Sequence, residues 1–119
     1  MTPSDFDLPL TPAAFHILLA LAAGEKHGYA IMQDVTALSA GQVHLGPGSL
    51  YGTIKRLLTD GWIAEAGERA SEGDERRRYY RLTELGQRIV RAEAQRLAHL
   101  VDQARARRLL PRTSGATDL

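Results

Sequence analysis

Apolar residues recur at three- and four-residue steps in two stretches near the start of the chain, which is the spacing of amphipathic helices. The first stretch follows Thr11-Pro12, a capping residue and a proline suited to the first helical position, and stops at Gly24. The second stretch opens at His27-Gly28-Tyr29 and stops at Gly41. We predict one helix for each stretch, with the apolar faces in a common core.

A third amphipathic helix is predicted over about residues 48–60. Its apolar stripe consists of Leu50, Ile54, Leu57 and Leu58. The opposite face and its edges carry small polar residues and cations, namely Ser49, Tyr51, Gly52, Thr53, Lys55, Arg56 and Thr59. Small residues near a helix start allow entry into the DNA major groove, and cations further along reach phosphates or guanine edges. The alternative is an ordinary solvated helix face.

The start of the second helix is a candidate phosphate site. Its N–H groups and helix dipole favour an anion, and His27 and Tyr29 flank it. In the alternative interpretation, Gly28 only permits the turn and Tyr29 packs.

A β-hairpin is predicted after Gly61. Residues 62–64 begin one strand, the polar residues 67–76 form the loop, and residues 77–82 return with Tyr80 facing the core. A short segment, residues 42–45, is predicted as a further strand stub. The hairpin carries four candidate DNA-contacting arginines, Arg69, Arg76, Arg77 and Arg78. In the alternative, these arginines pair with Glu72, Asp74 and Glu75, which we expect at the outer tip.

A long last helix is predicted from the cap Thr83 to about Leu110, before Pro111. Its apolar residues are spaced as in a coiled-coil seam, and they are Val90, Ala94, Leu97, Leu100, Val101 and Ala104. We interpret this seam as a homodimer interface because a small chain has little core left to cover it. The alternative is packing on the chain's own first helix.

The order of elements predicts a mainly α fold with a small β-hairpin, a winged helix-turn-helix followed by a long C-terminal dimerisation helix. We divide the chain into a flexible leader (residues 1–9), the DNA-binding domain (10–82), the dimerisation helix (83–110) and a flexible tail (111–119). No internal repeat is visible.

Composition removes several function classes. The chain has no cysteine, which excludes disulfides and thiolate metal sites, and its four histidines lack ligand spacing. No catalytic constellation, cofactor motif, signal peptide or membrane-length apolar run is present, so we expect a cytoplasmic protein that is not an enzyme. The net charge of +1 does not by itself indicate nucleic acid binding.

Several motifs together carry a family likeness. They are Leu10-Thr11, His27-Gly28-Tyr29-Ala30-Ile31, Gly48-Ser49-Leu50-Tyr51, Lys55-Arg56-Leu57, Gly61-Trp62-Ile63, Arg78-Tyr79-Tyr80-Arg81-Leu82-Thr83 and Gly86. In this order they resemble the PadR-type transcriptional regulators, and the single C-terminal helix is similar to the compact branch of that family. Gly52 departs from the proline often found there, and glycine weakens a helix by roughly 1 kcal/mol relative to alanine.

The resemblance implies a homodimeric repressor that binds double-stranded DNA at a pseudo-palindromic operator. It also implies a possible small-molecule effector, bound between the C-terminal helices or near Trp62. The alternative from another class is a winged-helix protein-interaction module that dimerises without binding DNA, for which the near-neutral charge is the main support.

Leu97→Asp tests the predicted seam. A carboxylate at the centre of the apolar stripe is expected to break the dimer, because a buried charge without a partner is costly. Analytical ultracentrifugation measures the result. A variant that still sediments as a dimer would place the interface elsewhere.

Overall fold

The described part of the chain folds into four helices and a small sheet. A computed structural model describes residues 8–70, 73 and 75–111. The elements in chain order are α1 (Pro12–Ala22), β1 (Lys26–His27), α2 (Gly28–Leu38), α3 (Pro47–Thr59), β2 (Ile63–Ala70), β3 (Arg76–Leu82) and α4 (Glu84–Ala106). The predicted winged helix-turn-helix followed by a long helix is confirmed. Most of the predicted leader and tail, residues 1–7 and 112–119, lies outside the described residues.

The three short helices share one hydrophobic core. Thr11 Oγ1 accepts a hydrogen bond from the Ala14 N–H at 3.1 Å and so caps α1 as predicted. The stripe of α3 is buried at Leu50, Ile54 and Leu57. The other buried apolar residues of this core are Ala14, Ile17, Leu18, Ala20, Leu21, Ile31, Val35, Leu45, Ile63, Tyr80, Ile89 and Val90.

The antiparallel sheet has three strands in the order β1-β3-β2, so one strand prediction was wrong and one strand was not predicted. Residues 42–45 are not a strand, and Leu45 packs into the core from an irregular segment. The third strand is β1, in which Lys26 and His27 pair with Tyr80 and Tyr79. Two residues are too few to show a period of two, so the sequence carried no sign of β1.

The hairpin strands are longer than predicted. Residues 67–70 and 76, assigned to the loop, belong to β2 and β3. This outer part of the hairpin is largely exposed, so it shows no apolar alternation from which strands could be recognised. A register shift lies between Glu65 and Glu68, where Gly67 has a φ of 97°. Glu72 and Asp74, predicted at the tip, lie outside the described residues.

The first turns of α4 attach the helix to the winged-helix domain. Thr83 Oγ1 accepts from the Gly86 N–H at 3.0 Å and donates to the Gly61 carbonyl at 2.7 Å. Gly86 lies directly against the Trp62 carbonyl oxygen, where a Cβ atom would have no room. Glycine at position 86 is therefore required by packing rather than by backbone conformation.

The far end of α4 differs from the prediction. The helix ends at Ala106 and not near Leu110, because Arg108 adopts a left-handed conformation with a φ of 64°. Val90, predicted in the dimer seam, is 7 % exposed and packs in the chain's own core. The exposed part of the seam therefore begins after Val90.

One buried carboxylate joins α4 to the segment before α1. Glu93 is the one buried charged side chain among the described residues, with 2 % of its surface exposed. Its Oε2 accepts from the Leu10 N–H at 2.9 Å, and its Oε1 accepts from Arg96 Nε at 2.6 Å. The Arg96 guanidinium, together with the Leu10 N–H, holds the pKa of Glu93 below its usual value against the opposing effect of burial.

Glu93→Gln is expected to destabilise the fold by about 1.5–3 kcal/mol at neutral pH, the range for hydrogen bonds to charged groups. A lowered pKa in the folded state stabilises above the unfolded carboxyl pKa of about 4.3 and is lost as pH falls through the folded value. Urea unfolding of both proteins should therefore show a difference that is constant above about pH 6 and shrinks below about pH 4. A difference that persists at low pH would contradict this assignment.

Candidate nucleic-acid interface

The outward face of α3 presents the predicted small and cationic residues. Ser49, Gly52, Lys55, Arg56 and Thr59 are exposed, and Thr53 is half-buried. The Arg56 side chain is 76 % exposed and lies 4.0 Å from Asp60 in a surface pair. The hydroxyls of Thr53 and Thr59 donate to the backbone carbonyls of Ser49 and Lys55, at 2.8 and 3.0 Å.

The start of α3 is open. Its cap residue, Gly46, makes no side-chain hydrogen bond to the first turn, and Pro47 follows directly. A helix start without a side-chain cap leaves N–H groups directed at solvent or at a ligand. The first turn of α3 therefore presents backbone donors beside Ser49.

A concave pocket of about 430 Å³ lies between the start of α2, the start of α3 and the hairpin. It brings together six of the predicted contact residues, His27, Tyr29, Tyr51, Arg76, Arg77 and Arg78, and it also contains Glu68 and Glu75. The Tyr51 hydroxyl lies against Gly28, where a Cβ atom would collide with the tyrosine ring. Gly28 therefore allows the first turns of α2 and α3 to meet, a role beyond permitting a turn.

His27 holds the start of α2 in place. Its Nδ1 accepts from the Ala30 N–H at 3.1 Å, which makes His27 the N-cap, and Arg77 Nη1 lies 3.4 Å from the same atom. The imidazole also packs edge-on against Tyr79, with ring centroids 5.3 Å apart. Nδ1 of His27, a predicted phosphate contact, therefore makes its hydrogen bond within the protein. Tyr29, the other predicted contact, is half exposed at the pocket.

Each of the four candidate DNA-contacting arginines of the hairpin is paired with a glutamate. The closest N–O distances are 2.6 Å for Arg69–Glu25, 3.8 Å for Arg76–Glu68, 2.9 Å for Arg77–Glu75 and 3.6 Å for Arg78–Glu65. Of the predicted partners Glu72, Asp74 and Glu75, the structure shows Glu75, while Glu72 and Asp74 lie outside the described residues. The other three partners, Glu25, Glu65 and Glu68, were not predicted. Exposed ion pairs contribute at most about 1 kcal/mol, so a phosphate can replace a glutamate at small cost.

Arg69 differs from the other three arginines because it does not line the pocket. Its guanidinium lies over the Tyr79 ring, with Cζ 3.9 Å from the ring centroid, and donates to Glu25 and to the Ala66 carbonyl, the latter at 3.3 Å. These contacts join the hairpin to the loop after α1. They favour a structural role for Arg69, while Arg76, Arg77 and Arg78 line the pocket.

A second groove of about 570 Å³ separates the N-terminal segment from α3. One wall is Pro9, Leu10 and Thr11, and Trp62 lies on the same groove. The opposite wall is the outer face of α3, and it contributes Ser49, Gly52, Thr53 and Arg56. A molecule in this groove would contact the same residues that are predicted to face DNA.

The predicted dimer seam is exposed beyond Val90. Ala94, Leu100 and Val101 are exposed, Leu97 and Ala104 are half-buried, and Leu100 retains 49 % of its surface. Apolar side chains that the chain leaves uncovered along one helix mark a surface for association.

Two structural findings bear on other classes of site. Among the described residues, no group of three histidine or carboxylate side chains is placed to hold a metal ion. No helix in the described part of the chain is long and apolar enough to cross a membrane.

Comparison with known proteins identifies a family. The model of the transcriptional regulator PadR-like family matches residues 17–92. A protein of 37.1 kDa from transposon Tn4556 of Streptomyces fradiae is 37 % identical over 84 residues, which are 71 % of this chain and 22 % of that protein. The chain thus spans less than a quarter of that relative.

Solved structures of related regulators have the same fold. A PadR family regulator from Clostridium difficile is 20 % identical, covers 81 % of this chain and 97 % of its own, and superposes with a TM-score of 0.68. Bacillus subtilis PadR, solved in complex with operator DNA, is 22 % identical and covers 66 % of this chain and 45 % of its own, with a TM-score of 0.58.

Gly28→Ala and Gly86→Ala form a matched pair of tests. A Cβ at position 28 meets the mobile end of the Tyr51 side chain, so the free energy of unfolding should change by less than about 1 kcal/mol while Tyr51 is displaced. A Cβ at position 86 meets the Trp62 backbone, so overpacking should cost about 1–3 kcal/mol. Urea unfolding and the NMR shifts of the Tyr51 ring measure both effects. Equal destabilisation by the two substitutions would refute the distinction.

Proposed function

Since the chain belongs to the transcriptional regulator PadR-like family, we propose that it is a homodimeric repressor that binds a pseudo-palindromic operator through α3. The observation that carries the proposal is the exposed small and cationic face of α3, bordered by a pocket with Tyr29, Tyr51 and the hairpin arginines. A major groove accepts one helix, and phosphates on either side fall within reach of the flanking elements.

The proposed contacts divide into two groups. Ser49, Gly52, Lys55 and Arg56 on α3 read base edges and nearby phosphates. Tyr29, Tyr51, Arg76, Arg77 and Arg78 surround a backbone phosphate in the pocket, which the start of α2 also favours. The similar fold of Bacillus subtilis PadR, which was solved with operator DNA, supports this arrangement by analogy.

In this proposal the protein dimerises through α4, and the two-fold symmetry of the dimer matches that of a pseudo-palindromic operator. The uncovered residues Leu97, Leu100 and Val101 pair across a two-fold axis in this proposal. Two α3 helices then occupy successive major grooves about 34 Å apart. Repression follows from exclusion of polymerase at the same DNA, in the cytoplasm where that DNA lies.

We also propose that the groove beside Trp62 binds a small-molecule effector. The groove beside Trp62 has a volume within the range of small-molecule sites, about 300–1,000 Å³, and shares Arg56 with the DNA face. A ligand bound there would exclude DNA directly. The space between the C-terminal helices of a dimer is the alternative place.

Arg56→Ala tests the DNA-binding face. Fluorescence anisotropy with duplexes selected from genomic DNA should show affinity reduced by about 1–3 kcal/mol if Arg56 contacts a base. Arg107→Ala removes the same charge directly after the end of α4 and is the control, expected to bind as the wild type does. Equal affinities for all three proteins would remove Arg56 from the interface.

A salt titration of the wild-type protein separates the proposal from a protein-interaction module. Each phosphate contact lowers the logarithm of the association constant by about 0.9 for each tenfold rise in salt concentration. A dimer with about four to eight contacts should therefore show a slope of about −4 to −7 in a plot of log association constant against log salt concentration. The balanced charges of the hairpin favour the module, which would bind no duplex even at low salt. That second outcome would refute the repressor.

A further inference from the structure

Glu93 lies where α4 leaves its own domain. Before it, Gly86, Ile89 and Val90 are buried against the winged helix, and after it the apolar residues Leu100 and Val101 are exposed. The carboxylate is therefore the last buried group that connects the free half of the helix with the rest of the chain. Both Leu10 and Glu93 fall outside residues 17–92, the segment that matches the family model.

The carboxylate is held from two directions. Leu10, in the segment before α1, donates its N–H to Oε2 at 2.9 Å. Arg96, one turn further along α4, donates through Nε to Oε1 at 2.6 Å and through Nη2 to Oε2 at 3.1 Å. The two donors belong to the two parts that meet at this point, the domain and the free half of the helix.

A buried ion pair is weak support for stability, since apolar side chains of similar size often stabilise as well. Its better-attested use is to select one arrangement among several of similar energy. Hydrophobic contacts at Ile89 and Val90 are not directional, whereas the hydrogen bond from the Leu10 N–H crosses from the segment before α1 to α4 and has a preferred direction. The two hydrogen bonds from Arg96, which lies on the same helix as Glu93, hold the carboxylate in the position that accepts it.

We infer that Glu93 is a positioning residue that fixes the direction in which the free half of α4 leaves the winged-helix domain. In the dimer of the proposed function, on which this consequence rests, that direction sets the distance between the two α3 helices. Residues 94–106 extend about 20 Å at 1.5 Å per residue. A rotation of about 10° at Glu93 moves their far end by about 3.5 Å, close to the rise of one base pair.

The inference is tested by the angle itself, in the full chain and without DNA. The sequence has no cysteine, so Lys55→Cys and Gln103→Cys place one spin label on α3 and one on the free half of α4. Dilution with unlabelled protein restricts double electron–electron resonance to the distance within one protomer. In the wild-type background we expect one narrow distance distribution.

Glu93→Met keeps the side-chain volume and removes the acceptor of both donors. We expect the distance to shift by at least about 3 Å or its distribution to double in width. Glu93→Gln keeps an acceptor for the Leu10 N–H, so its distance distribution is expected to lie between those of wild type and Glu93→Met. Asp102→Asn is the matched control, because it removes an exposed acid that pairs with Arg105 at 3.5 Å on the same helix, and it should leave the distance unchanged.

Each outcome decides the inference. Measurements are made well below the urea midpoint of every variant, so lower stability by itself leaves the distance unchanged. A wild-type distribution in Glu93→Met overturns the positioning role, and should that variant not fold, the same result in Glu93→Gln overturns it.

Binding to duplexes whose half-site spacing is changed by one or two base pairs tests the consequence. Wild type should bind most tightly at one spacing. Glu93→Met should bind about tenfold more weakly at that spacing, with unchanged affinity at the other spacings. If no duplex is bound at all, the proposed function fails, and the spin-label distances still decide the role of Glu93.

Discussion

Burial of one side of α3 is the constraint on which the rest of the molecule depends. Leu50, Ile54 and Leu57 are almost entirely excluded from solvent, so α3 cannot rotate about its axis without exposing them. The opposite side is thereby directed outward with Gly52 and Arg56 at its centre. The sheet and α2 then add Tyr29 and the hairpin arginines at the border of the same surface.

Charge on this surface is arranged differently from charge in the sequence. Arg76, Arg77 and Arg78 follow one another in the chain, but in space each of the three has a glutamate beside it. In the proposed complex with DNA, phosphates take the place of these carboxylates beside the arginines. The affinity is then a difference between two sets of similar contacts.

The helices were predictable because burial imposes a period on them. Thr11 and Thr83 marked two helix starts, and three residues of the predicted α3 stripe are buried in the core while the fourth, Leu58, packs against it. The outer hairpin was not predictable as strand because neither of its faces is buried. Burial of Glu93 was not predictable, because the predicted seam passes from Val90 to Ala94 and only the fold shows that the Leu10 N–H reaches the carboxylate. Partners 83 residues apart leave no local pattern.

The register shift in the hairpin has a consequence for how copies of the protein behave at high concentration. β2 is an edge strand, and a straight edge offers unpaired N–H and C=O groups to any other exposed strand. The irregularity between Glu65 and Glu68, with Gly67 in a left-handed conformation, interrupts that edge, and charged side chains line what remains. The hairpin that carries the pocket arginines is thus also protected against strand-to-strand aggregation.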